Sequence, residues 1–213
     1  MSLHIVGSGR CGTKSITATF GGDHEPACDI ILPLALQYAL GAPTEYVQAL
    51  LPNAGFGEVQ GHYRYAELIP EIARFDVGAK FLWVRRDANA TVTSMMRKGW
   101  YDPRDDVLWP LSFAQWAVDQ ELTPHIQFFI PHNAYRVTAA VAGQMSYPAW
   151  GELPQRARCE WWVAYSEWLT EQHLRDQEHA IVDIESVTLE VLERIGEWAG
   201  VPVVTPGVPH MRT

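Results

Sequence analysis

Short apolar runs alternate along the chain with stretches in which apolar residues recur every three or four positions, a rhythm that predicts strands and helices in turn. Leu3 to Val6 reads as a short buried strand, and the glycines of the Gly7 to Gly12 stretch allow a tight turn into a helix beginning near Lys14. Gly21 and Gly22 stop that helix, Asp23 to Cys28 reads as a loop, and Ile30 to Leu40 and Thr44 to Leu51 read as apolar helices. Glu58 to Gly61 fits a short strand, and Leu68, Ile69, Ile72 and Phe75 have the spacing of a helix over Tyr65 to Phe75. Ala79 to Val84 is a clear strand ending in Arg85 and Arg86, after which Asp87 can cap a helix carrying Val92, Met95 and Met96 as far as Gly99.

Periodicity weakens from Trp100 to Pro154, where proline and large aromatics accumulate, and this stretch reads as a cap or insertion. Regular structure returns with a tryptophan-rich helix around Glu160 to His173, a strand at Ala180 to Ile184 and a helix from about Val187 to Ala199. Strands alternating with helices imply a largely parallel sheet covered on both faces.

Composition sharpens this picture in three respects. With 213 residues, 47% of them hydrophobic and nine of them tryptophan, the chain can bury the core of one large domain. A formal net charge of −9 argues against a basic face that grips nucleic acid, so any anion site must be local. Three scattered cysteines without a CxxC pair suit a reducing compartment and exclude a cysteine-rich zinc module. The start of the chain has no basic leader, and Ile30 to Leu40, interrupted by Pro33, is too short to cross a bilayer. The expectation is a cytoplasmic protein without membrane or nucleic-acid partners and without a required metal.

The candidate chemistry begins at Gly7-Ser8-Gly9-Arg10-Cys11-Gly12-Thr13-Lys14-Ser15. Three glycines between a strand and a helix let backbone amides approach an anion, and the helix start adds the attraction of its dipole. Arg10, Thr13, Lys14 and Ser15 supply charged and hydroxyl donors at the same place, which suits phosphate. Thr13 separates Gly12 from Lys14, whereas a Walker A loop has lysine directly after its last glycine. A second anion element is Arg86 at the end of its strand with Ser94 eight residues on; Arg85 should point to the opposite side, and either arginine could be the one that binds.

The segment Arg10-Cys11-Gly12-Thr13-Lys14-Ser15 resembles the 5′-phosphosulfate loop of the sulfotransferases, and Arg86 with Ser94 is similar to that family's 3′-phosphate pair. The likeness continues in order through a His-Glu segment, His62, the tryptophan-rich helix and the acidic turn Asp183 to Val187, and is greatest to compact bacterial members. Ala88 stands where many members have proline, Cys11 replaces a common serine, and the tail from Pro209 lacks a glycine-rich basic segment. The resemblance implies one sulfotransferase-like α/β domain over residues 1–213. Its fold would be a P-loop NTPase-like three-layer arrangement with a central, mostly parallel sheet and an aromatic-rich helical or loop insertion at residues 100–156.

It further implies transfer of a sulfuryl group from 3′-phosphoadenosine 5′-phosphosulfate (PAPS) to a hydroxyl of a small-molecule or carbohydrate acceptor, leaving 3′-phosphoadenosine 5′-phosphate (PAP). Arg10, Cys11, Gly12, Thr13, Lys14, Ser15, Arg86 and Ser94 would bind the nucleotide. Arg10, or Lys14 beside it, would follow charge onto the leaving phosphate, and His62 or Glu25 would act as the base. Two rivals keep the same loop: a small-molecule kinase using ATP and magnesium, with Asp183 recruited for the metal, and a nucleotide-binding module without catalysis.

Overall fold

The computed structural model describes residues 2–27, 30, 31, 34, 35, 38, 43–103 and 152–204. Five strands, β1 (Leu3–Val6), β2 (Asp23–His24), β3 (Val59–Gly61), β4 (Lys80–Arg85) and β5 (His179–Asp183), form one sheet in the order β2-β3-β1-β4-β5 with every pairing parallel. Among the described residues six α-helices accompany it: α1 (Thr13–Thr19), α2 (Thr44–Leu50), α3 (Tyr65–Phe75), α4 (Ala88–Arg97), α5 (Gln155–Leu174) and α6 (Leu189–Ala199). The architecture is α/β, as the alternation of patterns predicts. Residues 104–151, which hold most of the expected insertion, lie outside the described residues, as do Cys28 and the tail from 205.

The sheet order explains where the helices go. The crossover from β1 through α1 runs towards β2, while those from β3 to β4 and from β4 to β5 run the other way. Right-handed connections moving in opposite directions must lie on opposite faces. Accordingly Ile16 and Phe20 of α1 join Leu3, Ile5, Leu82 and Val84 in one core with Leu192 and Ile195 of α6. Leu68, Ile69 and Ile72 of α3 pack with Phe81 and Trp83 on the other face, together with Val47 of α2 and Leu174 of α5. Alternate residues of β4 thus serve both layers, the period-2 signature of a strand buried on both faces. Among the described residues no helix is long and apolar enough to cross a membrane.

Local chemistry sets the element boundaries. Asp87 caps α4 by accepting the Ala90 amide at 2.8 Å, and Thr188 caps α6 by accepting the Val191 amide at 3.3 Å. Helix α3 runs through Pro70, whose missing N–H leaves the Ala66 carbonyl without its intrahelical donor. His173 of α5 supplies one: its Nδ1 lies 2.8 Å from that carbonyl.

Two elements differ from the sequence pattern. Asp23–His24, expected as loop, is an edge strand on β3, held by backbone pairing that its polar residues do not signal. Helix α5 begins at Gln155, earlier than the tryptophan periodicity suggests; Pro154 precedes it in an extended conformation, φ −66° and ψ 154°, at a position where its missing N–H costs the helix nothing.

Candidate functional site

In open parallel sheets ligands sit beyond the carboxyl ends of strands, where neighbouring connections diverge. Here that point lies between β1 and β4, and each strand leads into one of the anion elements read from the sequence: the loop 7–12 after β1, and Arg86 with α4 after β4. The register pairs Val6 with Trp83, so the loop rises beside the last residues of β4.

The loop needs its glycines. A Cβ at Gly7 would strike the Cys11 sulfur and lie 2.8 Å from the Val84 carbonyl. Gly9 and Gly12 have φ of +79° and +101°, and between them Arg10 adopts a left-handed φ of +58°, a conformation that costs a residue with a Cβ about 1 kcal/mol. Gly12 precedes α1, and its carbonyl accepts the Ser15 and Ile16 amides at 3.0 and 3.1 Å. No side chain caps the first turn of α1, and no acidic residue stands there. Arg10 and Lys14 are exposed, Ser15 is half-buried and Thr13 is buried.

Cys11 turns its thiol into the core between sheet and α1. Burial pushes the thiol pKa up, against the pull of the backbone amides of Thr13, Gly9 and Cys11 itself. Its contribution to a ligand is therefore confined to its backbone.

The second element closes on the first. Arg86 Nη1 donates to the Arg10 carbonyl at 3.1 Å, and Arg10 Nε donates to Ser94 Oγ at 3.2 Å. Glu185 holds Arg86 from behind, with Oε1 3.6 Å from Nε, and also accepts the Asp87 amide at 3.2 Å. Arg85 leaves the strand on the other side, over the Trp83 ring at 5.5 Å and 3.5 Å from Asp183, its cross-strand partner. Of the two arginines, Arg86 is the one the fold brings to the loop. Arg10, Arg86 and Ser94 converge; Asp183 is paired at the edge strand.

The base candidates end β2 and β3. Glu25 follows β2 with φ of +55°, its amide donating to the Gly61 carbonyl at 2.6 Å, and its side chain is half-buried. His62 follows β3 and is fully buried, with Nδ1 accepting the Arg64 amide at 3.0 Å and its ring stacked on Tyr63 at 5.0 Å. Directly before Glu25, at the end of β2, stands a residue the sequence did not single out as a base. His24 Nε2 lies 3.1 Å from Thr13 Oγ1, in hydrogen-bond contact with the start of α1. Burial lowers its pKa to about 4, helped by the positive charges of Lys14 and Arg10, so the ring is neutral at pH 7. Its position depends on the β2–β3 pairing, for which the sequence carries no signal.

The floor of the loop is aromatic. A Cβ on Gly9 would lie 2.7 Å from the Trp100 ring, and Trp162 Nε1 donates to the Ser8 carbonyl at 2.9 Å from α5. Arg10, Lys14 and Arg86 thus gather positive charge at the carboxyl edge of β1 and β4 in a chain of net charge −9. Such an arrangement can neutralise a polyanion and present hydroxyl and guanidinium donors to it. No family model matches the chain, and no curated protein matches it.

Proposed function

We propose that the chain is a sulfotransferase that moves a sulfuryl group from PAPS to an acceptor hydroxyl, within a P-loop NTPase-like fold. The observation that carries the reading is the direct link between the two anion elements: Arg10 of the loop reaches Ser94, and Arg86 reaches the Arg10 carbonyl. A donor with phosphates at two separate ribose positions suits two cationic elements held at a fixed spacing. Bidentate guanidinium contacts give such recognition its geometry.

In this reading the loop 7–12 with Thr13, Lys14 and Ser15 takes the 5′-phosphosulfate, and Arg86 with Ser94 takes the 3′-phosphate. Sulfuryl transfer breaks the sulfur–oxygen bond to the 5′-phosphate and forms one to the acceptor oxygen. The electron pair of the broken bond stays on the phosphate, where Arg10 and Lys14 stabilise it. The acceptor proton passes to a base at the ends of β2 and β3. Glu25 is closer to solvent than His62, whose Nδ1 is already occupied, so Glu25 takes the first role, with His24 beside it. The acceptor is a sugar, a phenol or a small alcohol.

The test is transfer of label from donor labelled in its sulfuryl group to a panel of those three acceptor classes. Labelled product from any of them, reduced by Arg10→Ala, supports the reading. PAP binding without transfer to any acceptor would replace it with a nucleotide-binding module.

A further inference from the structure

Trp162 lies in a helix whose tryptophan spacing reads as core, and it is 1% exposed. Two features set it apart from a core side chain. Its indole N–H donates to the Ser8 carbonyl at 2.9 Å, although the two residues are far apart in sequence. Its ring is covered by the buried Arg64 guanidinium at 5.3 Å, which Glu67 holds in turn at 2.8 Å. The Ser8 carbonyl and the Gly9 amide belong to one planar trans peptide and point in opposite directions. Trp162 holds the carbonyl end of this peptide. That peptide immediately precedes the two left-handed residues, Gly9 and Arg10, from which the Arg10 side chain leaves towards Ser94.

We infer that Trp162 is a positioning residue for the anion loop: by fixing the Ser8–Gly9 peptide it sets the direction in which Arg10 and the following amides face a phosphate. The inference deepens the proposed function and rests on it for the identity of the ligand. A group that only fills the core would affect global stability; Trp162 also controls the loop on its own.

The experiment compares wild type with Trp162→Phe, which keeps an aromatic ring and removes the N–H, and with Trp168→Phe, a half-exposed position on the same helix. Hydrogen exchange over residues 7–12, measured without ligand, should become faster in Trp162→Phe relative to the strands and stay unchanged in Trp168→Phe. Binding of 5′-AMP and of PAP should weaken together in Trp162→Phe by about tenfold, the worth of one buried hydrogen bond. Unchanged exchange in the loop, or an equal acceleration throughout the protein, overturns the inference. If Trp162→Phe does not fold, Arg64→Met combined with Glu67→Gln removes the charge pair above the indole as a unit, and the same exchange pattern is expected. Absence of nucleotide binding by wild type defeats the proposed function alone, because the exchange comparison uses no ligand and still decides the role of Trp162.

Discussion

The guanidinium of Arg86 donates to the main-chain carbonyl of Arg10 at 3.1 Å, so a side chain from the end of β4 braces the loop that follows β1. Its neighbour Arg85 points away and pairs with Asp183. In the proposed function, removing Arg86 therefore takes away a phosphate donor as well as the brace on the loop, whereas removing Arg85 takes away neither. Arg86→Ala should weaken PAP binding by about ten- to a hundredfold, and Arg85→Ala should change it less than about threefold. Isothermal titration of both variants checks this, and equal losses in the two would break the assignment.

Arg10 pairs its left-handed backbone with a side chain that reaches Ser94. If it follows charge onto the leaving phosphate, its effect belongs to the transition state more than to the bound donor. Arg10→Ala should lower kcat by about a hundredfold with a smaller change in donor affinity. Steady-state kinetics decide: a pure rise in KM at constant kcat would make Arg10 a binding residue only.

His24 is held near a pKa of about 4 by burial and by the charges of Lys14 and Arg10. A bound phosphate offsets those two charges and favours the imidazolium, so ligand binding must raise this pKa. By linkage, protons are taken up on binding at pH values between the free and bound pKa. A titration of the His24 imidazole by NMR, with and without PAP, should show the upward shift; an unchanged or lowered value would place the anion elsewhere.

At the opposite end of the sheet His4 is buried, with Ser2 Oγ at 2.7 Å from its Nε2 and Asp76 at 3.3 Å from the same nitrogen. Both partners use one nitrogen, so this is no catalytic relay, in which base and orienting group need different ones. Burial lowers the His4 pKa from 6.5 against the pull of Asp76, and the hydrogen bond from His4 lowers that of Asp76 from 3.8 despite some burial. Below pH 6.5 the unfolded chain binds a proton at His4 that the folded protein refuses, and below 3.8 the same holds at Asp76. Stability should therefore fall as pH drops through 6.5 and further below 3.8. Glu67 acts in the other direction. Burial raises its pKa from 4.5 to about 7 despite Arg64, so its contribution is lost as pH rises across that interval. Denaturant unfolding across pH 4 to 8 should show a shallower acid slope in His4→Asn and a shallower fall between pH 4.5 and 7 in Glu67→Gln.

The parts of the fold legible in the sequence are those that carry their own signal. β1, α3, β4 and α6 are marked by apolar period and α4 by its Asp87 cap, and α3 is readable even through Pro70 because Leu68, Ile69 and Ile72 of its core keep helical spacing, although Phe75 at its end is exposed. β2 was not readable, since Asp23 and His24 become a strand only when β3 lies beside them. The same dependence hid His24 in the site: nothing local places an imidazole against Thr13. Arg10, Arg86 and Ser94 were legible as a set, but the choice between Arg85 and Arg86 required the strand register and Glu185, a residue far along the chain. Trp162 carried a helical pattern, which describes its packing and leaves its hydrogen bond to Ser8 unannounced.

Thermal unfolding with PAP, with ADP, and with ATP plus magnesium tests whether the two linked anion elements hold a 3′-phosphorylated nucleotide, because a ligand that binds the folded state raises its apparent stability. PAP without metal should raise the Tm with increasing concentration, more than ADP does, and Arg86→Ala should abolish the difference. Stabilisation by ATP with magnesium and none by PAP would contradict that expectation and make the loop that of a kinase.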